Sequence, residues 1–283
     1  MLLITGGTGN VGRTVVRQLR ETSAPLRVLV RGEDDRRPLA GVDIVTGDLT
    51  YPQSLEPAFD GVERAFLLPA NAPTQLQMER NFIEAARRSG VRHVVKLSVI
   101  GADPEADSAI LAAHGASERL LAESGLPHTI LRPNYFMQNL LALAGAMRAQ
   151  GVLAMPFNDA TVGMIDVRDI AAVAVKALTE TGHEGRTYAL TGPESVSFAK
   201  VARRISPVIG REVSYQNIGV DDLRRALLGF DMTEWYAEAL SKLMGRVGAG
   251  DYALVTNTVV EVTGRPARTF AQFLDDHADA LRG

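Results

Sequence analysis

The first twelve residues, MLLITGGTGNVG, constrain this chain more than any other stretch. Leu2 to Thr5 are apolar or β-branched and read as a short buried strand. Glycines follow at Gly6, Gly7, Gly9 and Gly12. Val11, Val15 and Leu19 then recur every four residues, with Arg13, Arg17 and Arg20 between them. That is the pattern of a helix with one apolar face. Strand, glycine turn and helix make the front half of a dinucleotide-binding βαβ unit. In such a unit Gly6 allows the tight turn, Gly9 lets backbone approach a pyrophosphate, and Gly12 lets the helix pack close to the strand. The free N–H groups at the helix start face the phosphate. The spacing is G-x-x-G-x-x-G, not the commoner G-x-G-x-x-G, so the flanking strand and helix carry the reading.

Strands and helices alternate through the next part of the chain. Strands are expected at 26–30, 42–46, 64–68, 91–99 and 129–131, and helices at 54–59, 75–89 and 110–124. The strands are near-continuous apolar runs, as expected when both faces of a sheet are covered. The fold class is therefore α/β: a doubly wound parallel sheet of the Rossmann type with a small C-terminal α+β lobe. Residues 1–150 are expected to form the NAD(P)-binding core. Residues 151–283 are expected to complete it and to form a smaller substrate lobe over the carboxyl ends of the strands, where ligands bind in such sheets. In that second part helices are expected at 166–178, 198–205 (ended near Pro207), 221–228, 233–244 and 270–281, with strands at 187–190 and 213–216.

Composition removes several function classes. The chain has 283 residues, 46% hydrophobic and 22% charged, which suits a soluble globular protein with a sizeable core. The net charge is −3 with no dense basic block, so no nucleic-acid contact is expected. The absence of cysteine excludes disulfides, thiolate catalysis and Cys-ligated metal sites. The five histidines show no ligand spacing, so no metal is expected, and no G-x-S-x-G elbow supports hydrolysis. The longest apolar run, Leu140 to Met147, is too short to span a bilayer. The first residues already form a core strand, leaving no room for a signal peptide, so a cytoplasmic location is the expectation. A homodimer is the default if the chain assembles.

The end of the second strand selects the cofactor. NAD-specific sites place an Asp or Glu there, whereas a 2′-phosphate wants a cation. Here the residue is Arg31, followed by Arg36 and Arg37. This favours NADP(H). Glu33, Asp34 and Asp35 could serve a ribose, so NAD(H) stays open. Asp48, at the end of the third strand before Leu49, either accepts from the adenine amino group or is a turn aspartate.

The chemistry is less plainly written. None of the tyrosines has a lysine four residues on, so the Tyr-x-x-x-Lys acid of many Rossmann reductases is absent. Four residues remain as catalytic candidates. Ser98 ends the fifth strand, where its hydroxyl either faces a nicotinamide or bonds backbone. Lys96 lies two residues earlier on the same strand face, as a site lysine or a solvated edge charge. His114 and Glu118 share a helix face, as an oriented imidazole or a surface ion pair. Tyr135, with Phe136 and Asn139, follows Arg132-Pro133 after the sixth strand. These three form a flat slot for a planar substrate, with His114 beside it, or they are core.

Several motifs together resemble the NmrA-like branch of the atypical short-chain dehydrogenase/reductases. They are TGGTGNVG, VLVRG, GDL, VVKLSVIGA, an H-x-x-x-E before SGLPHTILRPNYFMQNL, IDVRDIA and TYALTGPESVS. Within the branch the chain is most similar to the group holding NAD(P)H:quinone oxidoreductase 2 and triphenylmethane reductase. The resemblance covers nearly the whole chain. It implies a Rossmann core holding NADP(H) on Gly6, Thr8, Gly9, Asn10, Val11, Arg31 and the segment Leu67 to Ala70; with Gly7, Gly12, Asp48, Leu49 and Ser98, and with Leu67, Leu68 and Pro69 from that segment, these are the candidate cofactor contacts. The activity it implies is hydride transfer to a small planar conjugated acceptor, a quinone or a dye. Two other roles occur in the branch: a non-catalytic redox sensor that binds the dinucleotide and a partner protein, and a polyketide-tailoring oxidoreductase or oxygenase acting on a quinol-like substrate.

Overall fold

The computed structural model describes residues 1–32 and 41–283. Its elements in chain order begin β1 (Leu2–Ile4), α1 (Asn10–Leu19), β2 (Leu26–Val30), β3 (Asp43–Thr46), α2 (Glu56–Phe59), β4 (Arg64–Leu67) and α3 (Gln75–Arg88). There follow β5 (His93–Leu97), α4 (Ala109–Glu123), β6 (His128–Pro133), α5 (Asn139–Gln150), β7 (Val152–Met155), β8 (Thr161–Val162) and α6 (Val167–Thr179). The chain continues through β9 (Thr187–Leu190), β10 (Val196–Ser197), α7 (Phe198–Ile209), β11 (Ser214–Asn217), α8 (Val220–Gly229) and α9 (Glu234–Gly248). It closes with α10 (Thr258–Thr263), α11 (Phe270–Asp276) and α12 (Ala278–Arg282).

A seven-stranded sheet runs in the order β3-β2-β1-β4-β5-β6-β9. β1 pairs in parallel with β2 on one side and β4 on the other. The β2–β3, β4–β5 and β5–β6 pairs are parallel as well. The order reverses direction between β1 and β4, the switch point at which dinucleotides bind in doubly wound sheets. The strands are buried because helices cover them: Leu3, Ile4, Val28, Ala65, Phe66, Leu67, Val94 and Val95 have no exposure. Phe59 packs edge-on against Phe82 at 5.1 Å, locking α2 to α3.

The chain divides into two compact units by several passes between them. The first comprises Met1–Glu105, Ala112–Arg132 and Ile170–Tyr188; the second comprises Ala106–Leu111, Pro133–Asp169 and Ala189–Gly283. The first unit carries the sheet as far as β6 and the glycine turn. The second contains the two-stranded sheets β8–β10 and β7–β11. Its core includes Phe157 and Phe198, stacked edge-on at 4.5 Å.

Two local expectations change, and one helix lies where none was expected. α7 runs through Pro207 to Ile209 and closes at Gly210 in the left-handed region (φ 80°). Proline removes one amide donor, but here it sits in the last turn, and the Ser206 hydroxyl bonds back to the Ala202 carbonyl at 2.8 Å. The expected helix over 270–281 is two short ones, broken at His277, whose backbone leaves the helical region (φ −118°, ψ 17°). The run from Leu140 to Met147 lies within α5, which buries Leu140, Ala144 and Met147.

Candidate cofactor and hydride-transfer site

The glycine turn joins β1 to α1 in the first unit. Gly6 has φ +66°, and a Cβ there would lie 2.4 Å from the Leu68 carbonyl oxygen. A Cβ on Gly7 would meet Val28 at 2.6 Å, and one on Gly12 would meet the Gly6 oxygen at 2.1 Å. These three glycines are required by the protein's own packing. Gly9 is different. A Cβ there would meet nothing closer than 3.5 Å, its backbone is extended, and it is exposed. The apo fold would accept alanine at Gly9, so a glycine there suits a ligand that comes close to the backbone.

Gly9 is also the N-cap of α1. No side chain caps this helix, and no acidic residue occupies its first turn. The Gly9 carbonyl accepts from Arg13 N at 2.9 Å, as a helix requires. The end of α1 is therefore left with amide donors and the positive end of the helix dipole, a site for an anion. Thr5 fixes the turn from below: its hydroxyl donates to the Phe66 carbonyl (3.0 Å) and accepts from Leu68 N (2.8 Å). That ties the exit of β1 to the segment Leu67, Leu68 and Pro69 at the end of β4, of which Leu67 and Pro69 are buried. Thr8 is half-buried, Val11 is buried and Asn10 is exposed. These residues fit a dinucleotide with its pyrophosphate on α1.

Arg31 is exposed at the end of β2. Glu33, Asp34, Asp35, Arg36 and Arg37 lie outside the described residues. Asp48 makes a turn: its Oδ1 accepts from Thr50 N and Thr50 Oγ1, both at 2.8 Å. That oxygen is committed locally, so only Oδ2 could accept from a ligand. Leu49 is buried, and its carbonyl accepts from Asn81 Nδ2 at 2.7 Å.

The sequence reading pairs His114 with Glu118, and the structure separates them. Glu118 accepts from the Ser98 hydroxyl and from Arg132, whose Nε lies 3.0 Å from Oε1 and whose Nη2 reaches Oε2. This bidentate pair joins α4 to the ends of β5 and β6, and the bond to Glu118 raises the Arg132 pKa. Because Ser98 spends its hydrogen on Glu118, its oxygen can only accept. The hydroxyl suits a carboxamide N–H and does not supply a proton.

His114 joins a different group, and it is buried rather than at the surface. Lys96 has no exposure at all, which removes the solvated edge charge as a reading of it. Its ammonium donates to Glu79 Oε2 at 2.5 Å and lies 3.5 Å from His114 Nδ1. Gln75 Nε2 donates to Glu79 Oε1 at 3.0 Å and lies 3.4 Å from both ring nitrogens. The Ser117 hydroxyl donates to Glu79 Oε2. Burial first, and then the Lys96 charge, hold the His114 pKa well below its usual value, so the ring is neutral. Gln75 Oε1 is buried with no partner among the described residues, an exception in an interior where buried polar atoms are nearly all paired.

Gln75 and Glu79 are the residues the sequence reading missed. Their signal is the helix period: the buried stripe of α3 through Ala86 and Phe82 continues back to Glu79 and Gln75. A polar pair on the core stripe of a helix is the clue.

Tyr135 is core of the second unit. Its ring packs edge-on against Phe157 (5.8 Å) and Phe198 (5.6 Å). Burial raises its pKa, and its hydroxyl bonds the Asn139 side chain. Phe136 is half-buried and bridges to Ile165, and Asn139 is the exposed first residue of α5. His114, Lys96 and Ser98 thus belong to the first unit; Tyr135, Phe136 and Asn139 belong to the second. Among the described residues no cluster of His, Cys, Asp or Glu could hold a metal ion, and no helix is long and apolar enough to cross a membrane.

The model of the NmrA-like family matches residues 1–266, nearly the whole chain. The chain belongs to the NmrA-like family. An NAD(P)H azoreductase of Xenophilus azovorans is 42% identical over 283 residues, covering 99% of each chain. A (4-alkanoyl-5-oxo-2,5-dihydrofuran-3-yl)methyl phosphate reductase of Streptomyces griseus is 40% identical over 99% of each. Among solved structures, an NADPH-dependent quinone oxidoreductase of Escherichia coli in complex with NADPH superposes with a TM-score of 0.89. It is 28% identical, over 98% of this chain and 99% of that one. The Rossmann architecture expected from the sequence is the one this family member has.

Proposed function

We propose that the chain is an NADPH-dependent reductase that delivers a hydride to a planar, conjugated acceptor. The observation that carries the reading is the turn at Gly9, open toward a ligand where its neighbouring glycines are filled by the protein itself. The names of the relatives support the acceptor class. An azo group, a quinone and an acylated oxodihydrofuran are all polarised conjugated systems that take up a hydride directly.

Gly9, Asn10 and Val11 hold the pyrophosphate, and Arg31 takes the 2′-phosphate that distinguishes NADPH from NADH. When bound, NADPH supplies the hydride. In doubly wound sheets a dinucleotide binds outside the carboxyl ends of the strands at the switch point, where the end of β5 would face it. There Ser98 accepts from the carboxamide, held in that role by Glu118 and Arg132. His114, neutral and beside the end of β5, serves as a hydrogen-bond donor to the acceptor.

The test is steady-state oxidation of NADPH across a panel of neutral quinones, azo compounds, cationic dyes and simple aldehydes. The reading predicts turnover with the conjugated acceptors and little with the aldehydes. Aldehydes as the best acceptors would contradict it.

A further inference from the structure

The reductase reading uses His114 and leaves the ion pair behind it unexplained. Glu79 and Lys96 are paired in the interior of the first unit with no exposure on either side chain. Desolvating two charges is costly, and an apolar pair of similar size would fill the space as well. The surroundings of this pair are protic throughout. Of its five side chains only His114 has any exposure, 7% against none for Gln75, Glu79, Lys96 and Ser117. An ammonium carries three donors and no acceptor. In the contact with Lys96, His114 Nδ1 is therefore the acceptor, and the single hydrogen of the neutral ring belongs on Nε2. Glu79 takes donors on both oxygens, from Gln75 on one and from Lys96 and Ser117 on the other. That keeps it a carboxylate which holds the ammonium in place.

We infer that Lys96 stores the proton that completes reduction and passes it to the acceptor through His114. The inference rests on the reductase reading above. In a quinone the hydride adds with its electron pair and leaves one oxygen negative. That oxygen takes the hydrogen of His114 Nε2, while Nδ1 takes one hydrogen from Lys96. The N–H bonds at Nε2 and Nζ break; the O–H bond and the N–H bond at Nδ1 form. The ring stays neutral with its tautomer exchanged, and Lys96 is left as an amine beside the Glu79 carboxylate. One proton from water restores the pair after the product leaves. A cationic triphenylmethane dye differs, because hydride addition alone gives its neutral product. Lys96 acts through His114, so it is a positioning residue whose effect depends on the acceptor.

The experiment compares two acceptors on one preparation. The double variant Glu79→Gln/Lys96→Met removes both charges and nearly keeps the volume. The ratio of kcat for a neutral quinone to kcat for a triphenylmethane dye is expected to fall at least tenfold from wild type. A loss of folded protein scales both rates and leaves the ratio unmoved, so an unchanged ratio overturns the relay. The second readout needs no cofactor. The ¹⁵N spectrum of labelled histidine, with His114 assigned by comparison with His114→Asn, is expected to show the Nε2–H tautomer in the wild type. A hydrogen on Nδ1 overturns the relay whether or not the double variant folds. A wild-type protein that oxidises NADPH with neither acceptor contradicts the reductase reading and removes the relay with it.

Discussion

Gly9 and Gly12 stand one helical turn apart and answer to different partners. Gly12 is filled by the Gly6 carbonyl, so its glycine is a packing requirement; a Cβ on Gly9 would make only an ordinary contact, with the Gly6 oxygen at 3.5 Å. Alanine at Gly9 meets no packing obstacle but is a poorer N-cap for α1 than glycine, so it should cost about 0.5–1 kcal/mol of stability. It should weaken NADPH and NADH binding alike, by at least about tenfold, or about 1.4 kcal/mol. Arg31→Ala should weaken NADPH by roughly ten- to a hundredfold, the worth of a charged hydrogen bond, and leave NADH little changed. Fluorescence titration of both variants with both nucleotides checks the pair. Equal losses for both nucleotides in Arg31→Ala would remove the basis for NADP preference. Residue-scale reading from sequence is sharpest where one side chain type answers one need, as at Gly6 and Gly12, where the packing admits nothing larger than glycine. It fails at Tyr135, because an aromatic after a strand looks the same whether it faces a substrate or, as here, Phe157 and Phe198.

At the scale of elements, much of the sheet was legible. The strand expected at 26–30 is β2 itself, and β4 and α3 differ from expectation by a residue. These elements carry strong apolar periodicity and end at glycine or proline. The period of α5 was present as well, but a run of leucine and alanine offers little contrast between faces and reads only as apolar length. The breaks at His277 and the passage through Pro207 depend on tertiary contacts and local turn geometry, which no periodicity encodes. Legibility of the site follows the same line. The phosphate turn is local in sequence, whereas Glu79, Lys96 and His114 come from α3, β5 and α4 and meet only when the sheet forms.

His93, the first residue of β5, shows what such elements cost when they bury an ionisable group. Its Nε2 donates to Thr129 Oγ1 at 2.9 Å, since that hydroxyl donates in turn to the His183 carbonyl. Nδ1 is buried with no partner among the described residues. Burial pushes the pKa from 6.5 down to about 4, with the Glu184 charge opposing. The unfolded chain takes up this proton at higher pH than the folded one. The contribution to stability is therefore full above pH 6.5 and is lost as pH falls from there toward about 4. Thermal unfolding over that range should show a shallower acid loss in His93→Gln than in wild type. Parallel curves would mean that His93 does not titrate as described.

The whole molecule is a member of the NmrA-like family with a nicotinamide-nucleotide turn at its start and protic groups at the end of β5. The missing Tyr-x-x-x-Lys pair admits a sensor that binds the dinucleotide without turnover. On the proposed reading the buried set around His114 serves an enzyme, because a sensor would have no use for a proton donor there. Single-turnover mixing of the NADPH complex with a neutral quinone separates the two most directly. The reductase account predicts that the absorbances of reduced nicotinamide and of quinone fall together, at one rate and one-to-one. Tight NADPH binding with no loss of nicotinamide absorbance, for the quinone or for any other conjugated acceptor, would contradict it.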